Sequence, residues 1–528
     1  MKKYLALIMA AAMILSILAA CGKENTPEDN NLKVPDSITV VDSEWDGIDM
    51  YLIDSMNDMQ SLVSDSILTK ADDGTALPGI ASASVWAEDG LTWTLTFPEG
   101  MYYSTGEQLE PEDVVASLEH GLANSTWADG YSSIDYMEVN GRDVIIHLKE
   151  YQADMEFNFM QSFVGVIDKD ELDTMTNEEL LFGCHPYGPY YVEEYSPGAY
   201  ATLKANPGYV THNPLVKNKG KCPVETINVV MGGEDFTYYT GLINGDYDVL
   251  SSAPADYLED LSKSDAVTLV ESCCATVAYC EFNTNVPFFS DMRVREAVIR
   301  AFDREKAGAY ENEYYSGTYC LIQDNCLNFS QEAVDYYKEH YGYDVDAAKA
   351  LMADAGWADT DGDGWLDKDG VKAFFTFDSR DTDSAKIVVQ SLKEDLAVIG
   401  IDMDITTQNW SYVNQDVREG KCDIGYLNLG WSEPMLLINN FCNRSEIAAA
   451  NSNLDLEGYL ALVDKARTTV DYNERTKVIT EIQKKLFDYR TIMPLLRGTD
   501  FRCWSSKLDG IVYTKTGGFW INDLHYAE

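Results

Sequence analysis

The chain has 528 residues, with 88 acidic side chains against 39 Lys plus Arg, for a formal charge of −49. That excess excludes nucleic-acid binding, because each phosphate contact needs a cationic side chain to displace counterions, and it excludes a basic amphipathic membrane face. With 45% hydrophobic and 12% aromatic residues, the chain has core material for roughly three domains of about 150 residues each, and its charge suits cationic, zwitterionic or neutral partners.

At the N-terminus, Lys2 and Lys3 precede an apolar run over residues 4–20. A run this short behind two lysines reads as a signal peptide rather than a spanning helix. It ends in Leu18-Ala19-Ala20-Cys21, which resembles a bacterial lipobox. Residues 1–20 are therefore expected to be removed and Cys21 to carry lipid. Residues 21–35, polar and containing Pro27, read as a flexible tether. This places the protein on the outer face of the cell membrane, or in the periplasm of a source with an outer membrane.

Beyond the tether, residues 37–41 form a first strand. Residues 91–97 alternate apolar and polar side chains, as a half-buried strand does. A helix opens at Glu110-Pro111-Glu112-Asp113, with proline in the first turn and acids at the positive end of the dipole. Further strands are expected at residues 144–148, 188–192, 201–205 and 226–231. Asp291 caps a helix in which Val294, Ala297, Val298, Ala301 and Phe302 form one stripe. Helices follow over residues 346–355 and 384–399, ended by Gly356 and Gly400. Strands at residues 374–377, 401–405 and 423–429 interleave with them. Helix resumes over residues 456–489, and a short strand covers 494–496. The alternation is α/β.

Ten cysteines remain besides Cys21. An even number in an exported chain permits disulfides, while free buried thiols suit a source living without oxygen.

Several segments, in order, resemble the peptide/nickel-binding family of extracellular solute-binding proteins of ABC importers. They are Thr92-Trp93-Thr94-Leu95 through Glu110-Pro111-Glu112-Asp113-Val114, Gly188-Pro189-Tyr190, Asn206-Pro207-Gly208-Tyr209, Phe282-Asn283-Thr284, Ala355-Gly356-Trp357, Ile399-Gly400-Ile401 and Gly430-Trp431. The resemblance implies an α/β, two-lobed, type II periplasmic-binding-protein-like fold with a small domain inserted in the first lobe. The expected division is lobe one over residues 36–45, 171–275 and 495–528, the inserted domain over 46–170, and lobe two over 276–494. It also implies a monomer that closes on a peptide or related small solute and delivers it to a membrane permease.

In dipeptide-binding relatives an arginine shortly before the helix preceding the Ile-Gly-Ile motif clamps the ligand carboxylate, and Arg380 stands at that place. A surface arginine paired with Asp378, Asp381 or Asp383 is the other reading. The aspartate that meets a peptide amine in relatives is missing from the shortened Gly430-Trp431-Ser432-Glu433-Pro434 turn, where Glu433 is the available substitute. Among aromatics in loop contexts, Trp45, Trp127, Tyr131, Trp410 and Trp431 are cleft candidates, Trp45 and Trp431 foremost.

Asp359, Asp361 and Asp363, with Gly364 and Asp367, follow the first part of a calcium-binding loop. Position twelve is Gly370 rather than glutamate, and a solvated Asp/Gly turn is the competing reading. No cofactor other than this calcium is expected. The chain lacks Gly-x-Ser-x-Gly, Ser-x-x-Lys and His-Glu-x-x-His. An exported hydrolase would therefore have to use paired carboxylates, and a surface receptor on the same fold is a further alternative.

Overall fold

The computed structural model describes residues 32–53, 56–71, 74–271, 276–311, 315–324, 326–430, 433–438, 456–514 and 517–528. Cys21, Trp431, Cys273, Cys274 and Cys442 lie outside these residues. Among the described residues no helix is long and apolar enough to cross a membrane.

Two large mixed sheets make the two lobes. The first has seven strands in the order Val267–Glu271, Phe501–Ser505, Val249–Leu250, Ser37–Val41, Thr226–Val230, Tyr200–Ala205, Tyr190–Ser196. Ser37–Val41 runs parallel to both Thr226–Val230 and Val249–Leu250. The second has six strands in the order Tyr315–Gly317, Ile492–Gly498, Thr276–Phe282, Ile424–Leu429, Phe374–Arg380, Asp402–Gln408. Phe374–Arg380 is parallel to both of its neighbours. The chain passes between the sheets twice, from Glu271 to Thr276 and from Gly498 to Phe501. The second passage falls beyond the 494 expected from the sequence. Pro494 does not end its strand, because the register slips opposite it between Ala278 and Tyr279, and a bulge tolerates a residue without an N–H.

A third sheet, antiparallel and four-stranded, holds Ala83–Trp86, Thr92–Thr96, Asp143–Leu148 and Ile134–Asn140. Its alternation is the one read from the sequence: Trp93 and Leu95 are fully buried while Thr92, Thr94 and Thr96 are half-buried. This sheet shares one continuous core with the first lobe, in which Trp93 and Leu95 belong with Ile38, Val40 and Tyr190. The second lobe has a separate core, including Val388, Leu392, Leu396 and Ile399 from the stripe of helix Asp383–Val398. Burying each such side chain contributes about 2 kcal/mol. Gly400, at φ 79°, turns the chain out of that helix into the next strand.

The central strand Thr276–Phe282 escapes a period-two reading because six of its seven residues, Glu281 among them, are buried and neither face is exposed. Seven described cysteines, Cys184, Cys222, Cys280, Cys320, Cys326, Cys422 and Cys503, are free thiols, all buried.

Candidate ligand-binding site

The three parallel strands of the second lobe point their C-terminal ends at one place, where open α/β sheets bind ligands. Arg380 ends the first strand, Trp410 follows the second by one helix cap, and Asn428, Leu429 and Gly430 end the third. All five line a cavity of about 430 Å³, in the size range of small-molecule sites. The facing wall comes from the first lobe and its inserted sheet domain, through Ile53, Met56, Asn57, Trp127 and Phe163.

Helix Trp410–Arg418 builds much of the second-lobe wall. Asn409 caps it, its Oδ1 accepting from the Tyr412 N–H at 3.2 Å. Val413 and Val417 are buried, and the helix seats against Gly425. A Cβ at Gly425 would stand 2.2 Å from Val417 Cγ2, so only glycine admits the helix this closely. Trp410, Asn414 and Arg418, spaced by four, therefore present one stripe to the cavity. Asn414 and Arg418 were not anticipated from the sequence, although that spacing was available to find them. The same three residues also line a second, adjoining chamber of about 610 Å³, together with Asp46 and Glu419.

Arg380 is held from two sides. Its Nη1 donates to Asn428 Oδ1, and its guanidinium carbon lies 5.3 Å from the centre of the Trp410 ring. Its Nε is buried without a hydrogen-bond partner. Among the described residues Arg380 makes no ion pair: Asp381 pairs with Lys386, and Asp378 lies within 3.4 Å of Gln408 Nε2. Lost hydration lowers the Arg380 pKa from the ordinary arginine value. Burial, with Asp416 and Asp423 nearby, pushes the Asp378 carboxyl up to about 6.

Two expected ligand residues are placed elsewhere. Trp45 is 2% exposed and belongs to the first-lobe core. Its Nε1 donates to Asp42 Oδ2 at 3.0 Å, and its ring stacks on Tyr195 at 6.0 Å. Glu433, 1% exposed, is engaged by Arg475 Nη2 at 2.5 Å and by the Met435 N–H. Burial pushes the Glu433 carboxyl up and Arg475 opposes that shift. Both readings fail for one reason, that a core ion pair or ring stack and a cleft group have the same local sequence. Of the other loop aromatics, Trp127 lines the cavity and Tyr131 is buried in the first-lobe core.

Asp359, Asp361 and Asp363 bring carboxylate oxygens within 4.8 Å of one another on the surface. Asp367 is not part of that group, its oxygens accepting from the Thr360 N–H and hydroxyl. Backbone N–H groups of Gly362, Gly364 and Trp365 donate to Asp359 and Asp363, and Lys372 Nζ donates to Asp363.

Two lobes joined by two chain passages around a concave, partly apolar site define a solute-binding protein of the type that serves ABC importers. The chain belongs to the bacterial extracellular solute-binding proteins, family 5, whose model matches residues 75–446. It is 24% identical over 394 residues to the oligopeptide-binding protein AppA of Bacillus subtilis, covering 72% of this chain and 70% of that protein. It is 22% identical over 462 residues to the nickel-binding periplasmic protein of Escherichia coli, covering 83% and 84% respectively. The solved structure of Bacillus subtilis AppA in complex with a nonapeptide superposes with a TM-score of 0.79 at 18% identity, over 94% of this chain and 100% of that one.

Proposed function

We propose that this protein captures a carboxylate-bearing solute, a peptide or a similar small organic acid, by closing its lobes on it. It then hands the solute intact to the permease of an ABC importer. It acts as a monomer, held near that permease by lipid on Cys21, which raises the effective concentration of the loaded form. One observation carries the reading: Arg380 lines the cavity with a buried, unpartnered Nε and no carboxylate partner among the described residues. A guanidinium in that condition is satisfied by the forked oxygens of a bound acid. Trp410 on one lobe and Trp127 on the other supply apolar walls for the body of the solute. A hydrolase using paired carboxylates finds no such pair among the described residues of this cavity.

Thermal-shift measurements with a panel of peptides and small carboxylic acids, each beside its methyl ester, test the proposal. Acids are expected to raise the melting temperature and esters to leave it unchanged. Equal effects from acid and ester contradict the assignment of Arg380, and turnover of any member contradicts transport of an intact solute.

A further inference from the structure

Arg380 and Asn428 end neighbouring parallel strands of the second lobe. Phe377 pairs with Ile424 and Asp378 with Gly425, so the two strands carry Arg380 and Asn428 side by side into the cavity wall. Arg380 Nη1 donates to Asn428 Oδ1. Because that oxygen faces the guanidinium, the amide nitrogen of Asn428 is turned away from it. The Trp410 ring covers one face of the guanidinium, with 5.3 Å between its carbon and the ring centre. An amide at one nitrogen and an indole on one face therefore fix the orientation of the group. One edge is left over. Nε is buried without a partner, and Nη2 makes no hydrogen bond among the described residues. The Nε–H and the Nη2–H beside it point the same way, and together they match the two oxygens of a carboxylate.

The identity of the holder matters as much as its position. An aspartate at 428 would orient the guanidinium equally well and would also cancel its charge. Asparagine accepts the hydrogen bond and adds no charge of its own, so holding the cation does not cost its attraction for an anion. Two acids close to Arg380 are engaged with other donors. Asp378 lies within 3.4 Å of Gln408 Nε2, and Asp500, whose field reaches Arg380, accepts from the Thr276 hydroxyl at 2.7 Å.

We infer that Asn428 is a positioning residue for this site: by holding Nη1 it presents the Nε–Nη2 edge of Arg380 to the solute carboxylate. The acid is gripped side-on by two parallel hydrogen bonds, next to the Trp410 ring. The inference rests on the assignment of Arg380 to the solute carboxylate, and it adds how that arginine is aimed.

Nuclear magnetic resonance of the whole protein carrying isotope-labelled arginine reads this edge directly. The Arg380 Nε–H signal is assigned by its loss in Arg380→Lys. Sodium acetate is the probe, with acetamide beside it as the uncharged isostere. Acetate is expected to shift the signal and acetamide to leave it in place. Asn428→Leu is expected to raise the acetate concentration at half-shift by about tenfold, the worth of one charge-assisted hydrogen bond. Asn428→Asp keeps the shape and the acceptor but adds a negative charge, and it is expected to abolish the response. A response that either variant leaves unchanged overturns the role of Asn428. So does a shift confined to the Nη groups, which places the acid end-on. If acetate moves none of these signals in the unchanged protein, or acetamide moves them equally, the Arg380 assignment itself fails and the role of Asn428 falls with it.

Discussion

Arg475 donates to Glu433 across 2.5 Å in a site where both side chains are buried. The guanidinium also donates from Nη1 to Asn328 Oδ1 at 3.2 Å and from Nε to the Ala466 carbonyl at 3.3 Å. Asp154, fully buried and from the inserted domain, lies in the field of the same guanidinium. This is a structural ion pair that joins Glu433, just before helix Pro434–Ile438, to helix Tyr472–Tyr489. Arg475→Met strands a buried carboxylate and is expected to cost about 3–5 kcal/mol. Urea unfolding measures the loss. The double variant Glu433→Leu with Arg475→Met is expected to recover the part that belongs to Glu433 and to leave the part that Asp154 loses, and a double variant no more stable than Arg475→Met contradicts a pair whose two charges compensate one another.

The buried Asp65 gives the stability of the protein an unusual pH dependence. Its Oδ2 accepts from the Tyr209 hydroxyl at 2.6 Å, and burial raises its pKa to about 6. Because the folded form holds this proton more tightly than the unfolded form, the contribution is fully present below about pH 4 and is lost as pH rises through about 6. For Asp65 alone the loss is about 3 kcal/mol. Asp113 is raised to about 6 in the same sense, chiefly by burial. The exposed Glu179 and Glu259 are lowered and act in the opposite sense, but water screens them. Unfolding free energy measured from pH 4 to 7 is expected to fall with rising pH, and Asp65→Asn is expected to flatten the slope. A rise with pH contradicts this.

Gly425 holds the binding wall in place at a distance from the solute. Gly425→Ala forces Val417 away, which overpacking places at about 1–3 kcal/mol of stability. Because Val417 shares its helix with Trp410 and Arg418, affinity for any acid found in the thermal-shift panel is expected to fall as well. A variant with reduced stability and unchanged affinity contradicts the role given to this helix.

Calcium is expected to leave the melting temperature unchanged, and so is its removal with EDTA. The carboxylates of the Asp359–Asp363 turn already accept from backbone N–H groups, and Lys372 lies against Asp363. A calcium-dependent rise in melting temperature contradicts this account.

Most of the fold was legible in the sequence because its elements carry local signals. Period-two alternation marked Thr92–Thr96, a capping aspartate marked Met292–Ala301, and an apolar stripe ended by Gly400 marked Asp383–Val398. The position of Arg380 on the cavity wall was legible through its place before that helix. What failed depends on distant partners. The acceptor that ties Trp45 into the core is its own carbonyl, bonded by Tyr195 150 residues away. The cation that claims Glu433 is 42 residues along the chain. Asn414 and Arg418 carry only their spacing of four from Trp410 as a local signal. They become site residues only because Gly425 lets their helix approach the strand ends.

The central claim is that Arg380 holds the carboxylate of a solute carried intact. Native mass spectrometry of the protein isolated from its own cells, beside Arg380→Ala isolated in the same way, tests it most directly. The account predicts a non-covalent small organic acid on the unchanged protein, released intact on denaturation and missing from Arg380→Ala. A released solute with no acidic group, or equal occupancy in Arg380→Ala, contradicts it.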